Sequence, residues 1–195
     1  MKLETYLTEN NLYDVLCAWA GQDNVQRQAK VVGTKFRSDF EVVVNERIIV
    51  VEYDGDTHYR DANVIFRDEV KESICREGGK EIIKIPYFVQ LTSQTFEHFF
   101  GEPFDVETDF PHGFITTKIL PASFCPIGYN AAMDIYTGLP VSVKRDIQKS
   151  LDEKGKSLPS HCVWFRRSYD GMSWDEFLTK AHKAHGDKYE YIRDL

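Results

Sequence analysis

Arg47-Ile48-Ile49-Val50-Val51-Glu52-Tyr53-Asp54-Gly55-Asp56-Thr57-His58 is the stretch on which the fold turns. Its first half is apolar and β-branched, the composition of a buried strand, and Gly55 closes it. Side chains alternate along a strand, so Glu52 and Asp54 share one face at its end, and Gly55 lets the backbone turn while leaving room for a bulky ligand. Two carboxylates so close repel each other and are costly to desolvate, a conflict that a hard cation such as Mg²⁺ resolves by taking their oxygens as ligands. His58, four residues past Asp54, adds a group that titrates near neutral pH.

Working outward, residues 36–44 read as a second strand, joined to the first by Asn45-Glu46 as a tight hairpin turn. Asp39 in that strand lies beside Glu52 and Asp54 if the register suits, making a carboxylate triad of the three. Residues 25–32 read as a further strand. Before them, Leu12, Val15, Leu16 and Trp19 follow the spacing of an amphipathic helix, with capping residues at 8–11 and Gly21 as its stop. After the quoted stretch, residues 62–76 read as a helix stopped by Gly78-Gly79, and 80–85 as a strand stopped by Pro86. The expected fold class is α/β, with the order αβββαβ over residues 1–100. Residues 101–113 read as a linker into a mainly helical region, 101–195, with helices over 141–153 and 174–185. On the 62–76 helix, Phe66, Val70 and Ile74 form an apolar stripe, with Asp68, Lys71 and Cys75 opposite. That polar side is either turned toward a site or simply solvated, with Asp68 and Lys71 then no more than a surface ion pair.

With 195 residues, 42% hydrophobic and 28% charged, the chain suits one core, or one core and an appendage. No apolar run approaches the roughly 20 residues that a membrane span needs, and the first residues lack the pattern of a signal peptide, so the cytoplasm is the expected compartment. The four cysteines form no CxxC pair, and neither a zinc knuckle nor a disulfide framework is suggested. A net charge of −7 argues against a protein that grips nucleic acid over its whole surface. Residues 144–167 nevertheless hold seven basic residues against three acidic ones, Lys144, Arg145, Lys149, Arg166 and Arg167 among them, so one part suits a cation and another a polyanion.

Arg37-Ser38-Asp39-Phe40, Val51-Glu52-Tyr53-Asp54-Gly55-Asp56-Thr57-His58-Tyr59, Arg67-Asp68-Glu69-Val70-Lys71 and Ile83-Lys84-Ile85-Pro86-Tyr87 together resemble the PD-(D/E)xK nuclease superfamily. The nearest branch is the EDxHD homing endonucleases of phages, which are similar to very-short-patch mismatch repair endonucleases. The likeness covers residues 9–90. It implies a PD-(D/E)xK-type core and a Mg²⁺-dependent DNA endonuclease, Mn²⁺ being able to substitute, that either nicks or cuts both strands of double-stranded DNA. One site per monomer suits nicking, and cutting both strands calls for a homodimer or two sequential events.

The resemblance maps the site onto Asp39, His58 and Asp68, with Glu52 at the usual acidic position and an N-terminal helix acid that is best matched by Glu9, with Glu4 and Asp14 as alternatives. Asp39, Glu52 and Asp54 are then the metal-binding carboxylates, His58 the general base, Asp68 the group that orients His58 or a water, and Lys71 the cation that stabilises the phosphorane. The chain departs from the superfamily at the lysine of ExK, where Asp54 stands, so His58 or Lys71 must take over its part. That departure also suits a decayed nuclease that only binds DNA; a restriction or mismatch-repair enzyme would share the chemistry. Near the C-terminus, 175–191 resembles an accessory F-x-x-K-A-x-x-x-H-G-x-x-Y-x-Y segment, which adds Lys180, Lys183 and Lys188 to the expected DNA contacts.

Overall fold

The computed structural model describes residues 1–120 and 124–156. The described residues form two compact units, one of Met1–Gly55 with Phe66–Phe114, the other of Asp56–Ile65 with the described residues from Ile115 on. This partition differs from the expected division at residue 100.

The first unit is α/β. Helix α1 (Glu9–Ala20) starts at a capping box: Thr8 Oγ1 accepts from Asn11 N at 3.3 Å, and Asn11 Oδ1 accepts from Thr8 N at 2.6 Å. Strands β2 (Val25–Lys30), β3 (Arg37–Val44), β4 (Arg47–Asp54) and β5 (Glu81–Pro86) form one sheet in the order β2-β3-β4-β5. β2–β3 and β3–β4 are antiparallel. β4 and β5 are parallel, and the chain between them includes α3 (Ala62–Glu77). The expected succession of helix, three strands, helix and strand is present, with a four-residue helix added before α3. Asn45 and Glu46 both take positive φ (49° and 66°), the conformation of a two-residue type I′ hairpin, and Val44 pairs with Arg47 across it.

The two faces of the sheet differ in kind. Phe40, Val42, Ile49, Val51, Ile83 and Ile85 meet α1 through Leu12, Val15 and Leu16, and meet α4 (Ser93–Phe100) through Phe96 and Phe100. Residues one step along each strand face the other way, where the apolar cluster is small: Val31, Val50 and Cys75, with Phe36, Ile74 and Ile82 against them. Much of the rest of that face is charged, with Asp39, Glu41, Glu52, Asp54 and Lys84 on it, beside the exposed pair Val43 and Ile48.

Residues 101–113 are not a linker. Their segment β6 (Glu107–Thr108) pairs in parallel with β1 (Lys2–Leu3), and Val106 is buried in the main core. Gly113 lies so close to the Tyr87–Val89 backbone that a Cβ there would stand 2.1 Å from the Tyr87 carbonyl oxygen. Glycine, proline and acidic residues give this stretch a loop's composition, whereas a two-residue strand is defined only by its distant partner.

In the second unit, α2 (Thr57–Arg60), α5 (Pro126–Gly138) and α6 (Val141–Gly155) are described. α6 covers the helix expected over 141–153; α5 is an addition, capped by Cys125, whose Sγ accepts from Gly128 N at 3.5 Å. Gly128 packs on Tyr59, where a Cβ would come within 2.0 Å of the carbonyl oxygen, and the Tyr59 ring stacks on Phe124 at 5.1 Å. The expected 174–185 helix lies outside the described residues. Among the described residues no helix is long and apolar enough to cross a membrane.

Candidate active site

Glu52 and Asp54 end β4 on the face away from α1, as alternation with Val51 and Tyr53 requires. The β3–β4 pairing ends at Phe40↔Val51, and one step further the antiparallel register brings Asp39 beside Glu52. There the Tyr53 amide donates to Asp39 Oδ2 at 2.9 Å, a side-chain bond at the point where the backbone ladder stops. The parallel register sets Lys84 of β5 opposite Glu52.

α3 covers these groups with its polar side. Asp68 and Lys71 are each only 8% exposed and Cys75 is buried, whereas Phe66, from the apolar stripe, is 60% exposed. The surface-pair reading of Asp68 and Lys71 is thereby corrected. The cause is the sheet itself: Glu52 and Asp54, 4% and 2% exposed, need cations above them, and an apolar stripe would leave both charges buried without compensation.

The resulting cluster joins sheet to helix. Lys71 Nζ stands 2.8 Å from Glu52 Oε2 and 4.0 Å from Asp68 Oδ1. Lys84 Nζ stands 2.8 Å from Glu72 Oε1 and 3.5 Å from Asp54 Oδ2. Lys71 and Lys84 thus tie together the carboxylates of Glu52, Asp68, Asp54 and Glu72, the last held also by Arg76 at 3.4 Å. Glu52 registers the crowding. Burial pushes its carboxyl up to about 7; Lys71 opposes the rise, and Asp39 and Asp54 add to it. Burial works to lower the Lys71 amine, but Glu52, then Asp68 and Asp39, outweigh it and hold the amine above its ordinary value. Lys84 is likewise raised, with burial opposing and Asp54, Glu72 and Asp68 prevailing. Both lysines therefore stay charged while Glu52 is driven toward neutrality.

Five of the expected site residues, Asp39, Glu52, Asp54, Asp68 and Lys71, are thus brought together. Glu9 opens α1, and its carboxylate lies 3.4 Å from Arg27 on β2; the carboxylates that act most on Glu52 are Asp39 and Asp54. His58 is half-buried on α2, in the second unit. Gly55 does not adopt a left-handed φ, so its flexibility is not what turns the chain; a Cβ there would meet nothing within 4 Å, which agrees with the room expected beside it. Lys84 and Glu72 carry no role in the sequence reading. The signal for Lys84 was the alternation Ile83-Lys84-Ile85, which turns a lysine onto the face of Glu52 once the parallel pairing is known; for Glu72 it was the i, i+4 spacing from Asp68.

The expected DNA contacts fare unevenly. Lys144 Nζ donates to the Thr137 carbonyl at 2.9 Å, where it caps α5, while Arg145 and Lys149 are exposed on α6. Arg166, Arg167, Lys180, Lys183 and Lys188 lie outside the described residues.

Among the described residues no group of three or more His, Cys, Asp or Glu side chains has the arrangement of a metal site. The donor chemistry of the cluster nonetheless suits a hard divalent cation. Glu52 Oε1 is buried with no hydrogen-bond partner, and two further carboxylates act on that group. Comparison with family models, curated proteins and solved structures finds no match.

Proposed function

We propose that this protein is a Mg²⁺-dependent DNA endonuclease with a PD-(D/E)xK-type core. The observation that carries the reading is the carboxylate cluster at the sheet–α3 interface, with the buried Glu52 Oε1, which has no hydrogen-bond partner, inside it. Nothing in folding requires it: an apolar helix–sheet contact of the same size would be the more stable choice. Asp39 and Glu52 are the residues that would hold the cation, with Asp54 set by Lys84. When bound, Mg²⁺, or Mn²⁺ in its place, polarises a phosphoryl oxygen and lowers the pKa of water.

The chain's own groups do the rest. Lys71, held protonated beside Glu52, supplies fixed positive charge for the oxygens of the phosphorane. It thereby takes over the part of the lysine that Asp54 displaces from the ExK pattern. Water's oxygen forms the new P–O bond, the ester P–O bond breaks, and the leaving alkoxide takes up a proton. The sequence resemblance assigns the water's proton to His58 as general base, a step that contributes about 10²–10⁴-fold when the base is in reach.

A second reading, a DNA-binding protein on a decayed core, is favoured by the ion pairs themselves. Ammonium groups already face Glu52 Oε2 and Asp54 Oδ2, at 2.8 and 3.5 Å. Cleavage of supercoiled plasmid separates the two. The nuclease yields nicked or linear product with Mg²⁺ and none with EDTA, and loses activity in Asp39→Ala, Glu52→Gln and His58→Ala. A salt-sensitive DNA complex without cleavage of any substrate would establish the second reading instead.

A further inference from the structure

Residues 24–38 contain none of the 31 acidic residues of the chain, yet hold Arg27, Lys30, Lys35 and Arg37. They form β2, the edge strand of the sheet, the turn after it, and the start of β3. Arg27 is engaged: its guanidinium lies over the Tyr13 ring at 5.0 Å and 3.4 Å from Glu9. The other three are exposed, and none has a carboxylate within 4 Å among the described residues. This is unusual in the first unit, where Lys2, Arg47, Lys71, Lys80 and Lys84 are all ion-paired.

The register sharpens the point. Lys30 and Arg37 are direct cross-strand partners, so two like charges face each other where a neutral or opposite pair would be more stable. On the same face of β3, two residues or about 7 Å along the strand, stands Asp39. The hairpin is held in shape for this. Thr34 N donates to the Val31 carbonyl at 3.1 Å with Gly33 at φ +77°, as in a type II turn, and Val31 N donates to the Phe36 carbonyl at 3.1 Å. Arg37 Nη1 donates to the carbonyl of Gln28 at 2.7 Å, and Gln28, at φ +49°, sits where the ladder opposite Asp39 is interrupted.

We infer that the β2–β3 hairpin is a phosphate-binding ribbon for duplex DNA, with Lys30, Lys35 and Arg37 as its contacts, leading into the carboxylate cluster at Asp39. The inference rests on the nuclease reading for the nature of the polyanion. A two-stranded ribbon fits the major groove of B-DNA, and cations without acidic partners are the ones that release counterions from phosphates on binding. The cost of keeping Lys30 opposite Arg37 is recovered only when a phosphate lies between or beside them.

Binding of the full chain to a short duplex is measured in EDTA over a series of KCl concentrations for the wild type and K30Q/K35Q. The slope of log K against log salt becomes shallower by about 1.8 in K30Q/K35Q, two phosphate contacts fewer. Its Tm is not lowered, since a like-charge pair is relieved. Should that variant unfold early, K35Q alone, outside the ladder, shows a change of about 0.9. A wild type that binds and cleaves DNA while these variants keep its slope overturns the hairpin's role alone. A wild type without salt-sensitive duplex binding overturns both the ribbon and the nuclease reading.

Discussion

Glu52 offers the most direct measurement of the proposed site, because its titration belongs to the folded chain. Its carboxyl is raised from an ordinary 4.5 to about 7. The folded protein therefore binds one more proton than the unfolded chain between those values. The associated stability is fully present below pH 4.5 and is lost as pH rises through 7. A shift of that size corresponds to about 3 kcal/mol at 1.36 kcal/mol per unit. Glu52→Gln keeps the shape and removes the ionisation. Thermal unfolding of both proteins from pH 4.5 to 8 in EDTA then gives the difference directly. The wild type loses about 3 kcal/mol relative to the variant across the series, roughly 6–12 °C in Tm for a chain of this length. Millimolar Mg²⁺ restores much of that loss at pH 8 in the wild type and leaves the variant unmoved, since a cation at Glu52 favours the ionised form. Parallel pH curves for the two proteins would refute the account of a buried Glu52 carboxyl raised by its surroundings, and an equal Mg²⁺ response in both would refute Glu52 as a ligand.

Lys71→Met leaves Glu52 buried among carboxylates without its nearest cation. The variant loses about 3–5 kcal/mol at pH 8, by urea unfolding, and less at pH 5, where Glu52 is protonated; plasmid cleavage by it is abolished at either pH. Gly128→Ala drives a Cβ into the Tyr59 carbonyl and destabilises by about 1–3 kcal/mol, read as an earlier unfolding transition.

The framework of the first unit was legible because its signals are local. Leu12, Val15 and Leu16 repeat at helical spacing after a capping threonine, and all three are buried. Asn45-Glu46 lies between two apolar runs, and both residues accept the left-handed conformation that a two-residue hairpin needs. The segment 101–113 was misread because β6 is a strand only through its pairing with β1, over a hundred residues away. α3 was ambiguous for a related reason. Periodicity identified two opposed stripes, but which one faces inward depends on the sheet beneath, and here the charged stripe is the buried one.

From the sequence alone came the order of elements, the alternation that turns Glu52 and Asp54 to one face, and the presence of Asp39, Asp68 and Lys71 as candidates. These follow from short-range backbone geometry, with its periods of 2 and 3.6 residues. Only the tertiary structure decided that Lys84 and Glu72 complete the cluster, that Lys71 reaches Glu52 at 2.8 Å, and that Lys30 and Arg37 stand side by side at the sheet edge. Those outcomes depend on strand register and on helix–sheet packing. Both are fixed by burial and charge compensation between residues distant in the chain, for which no local pattern exists.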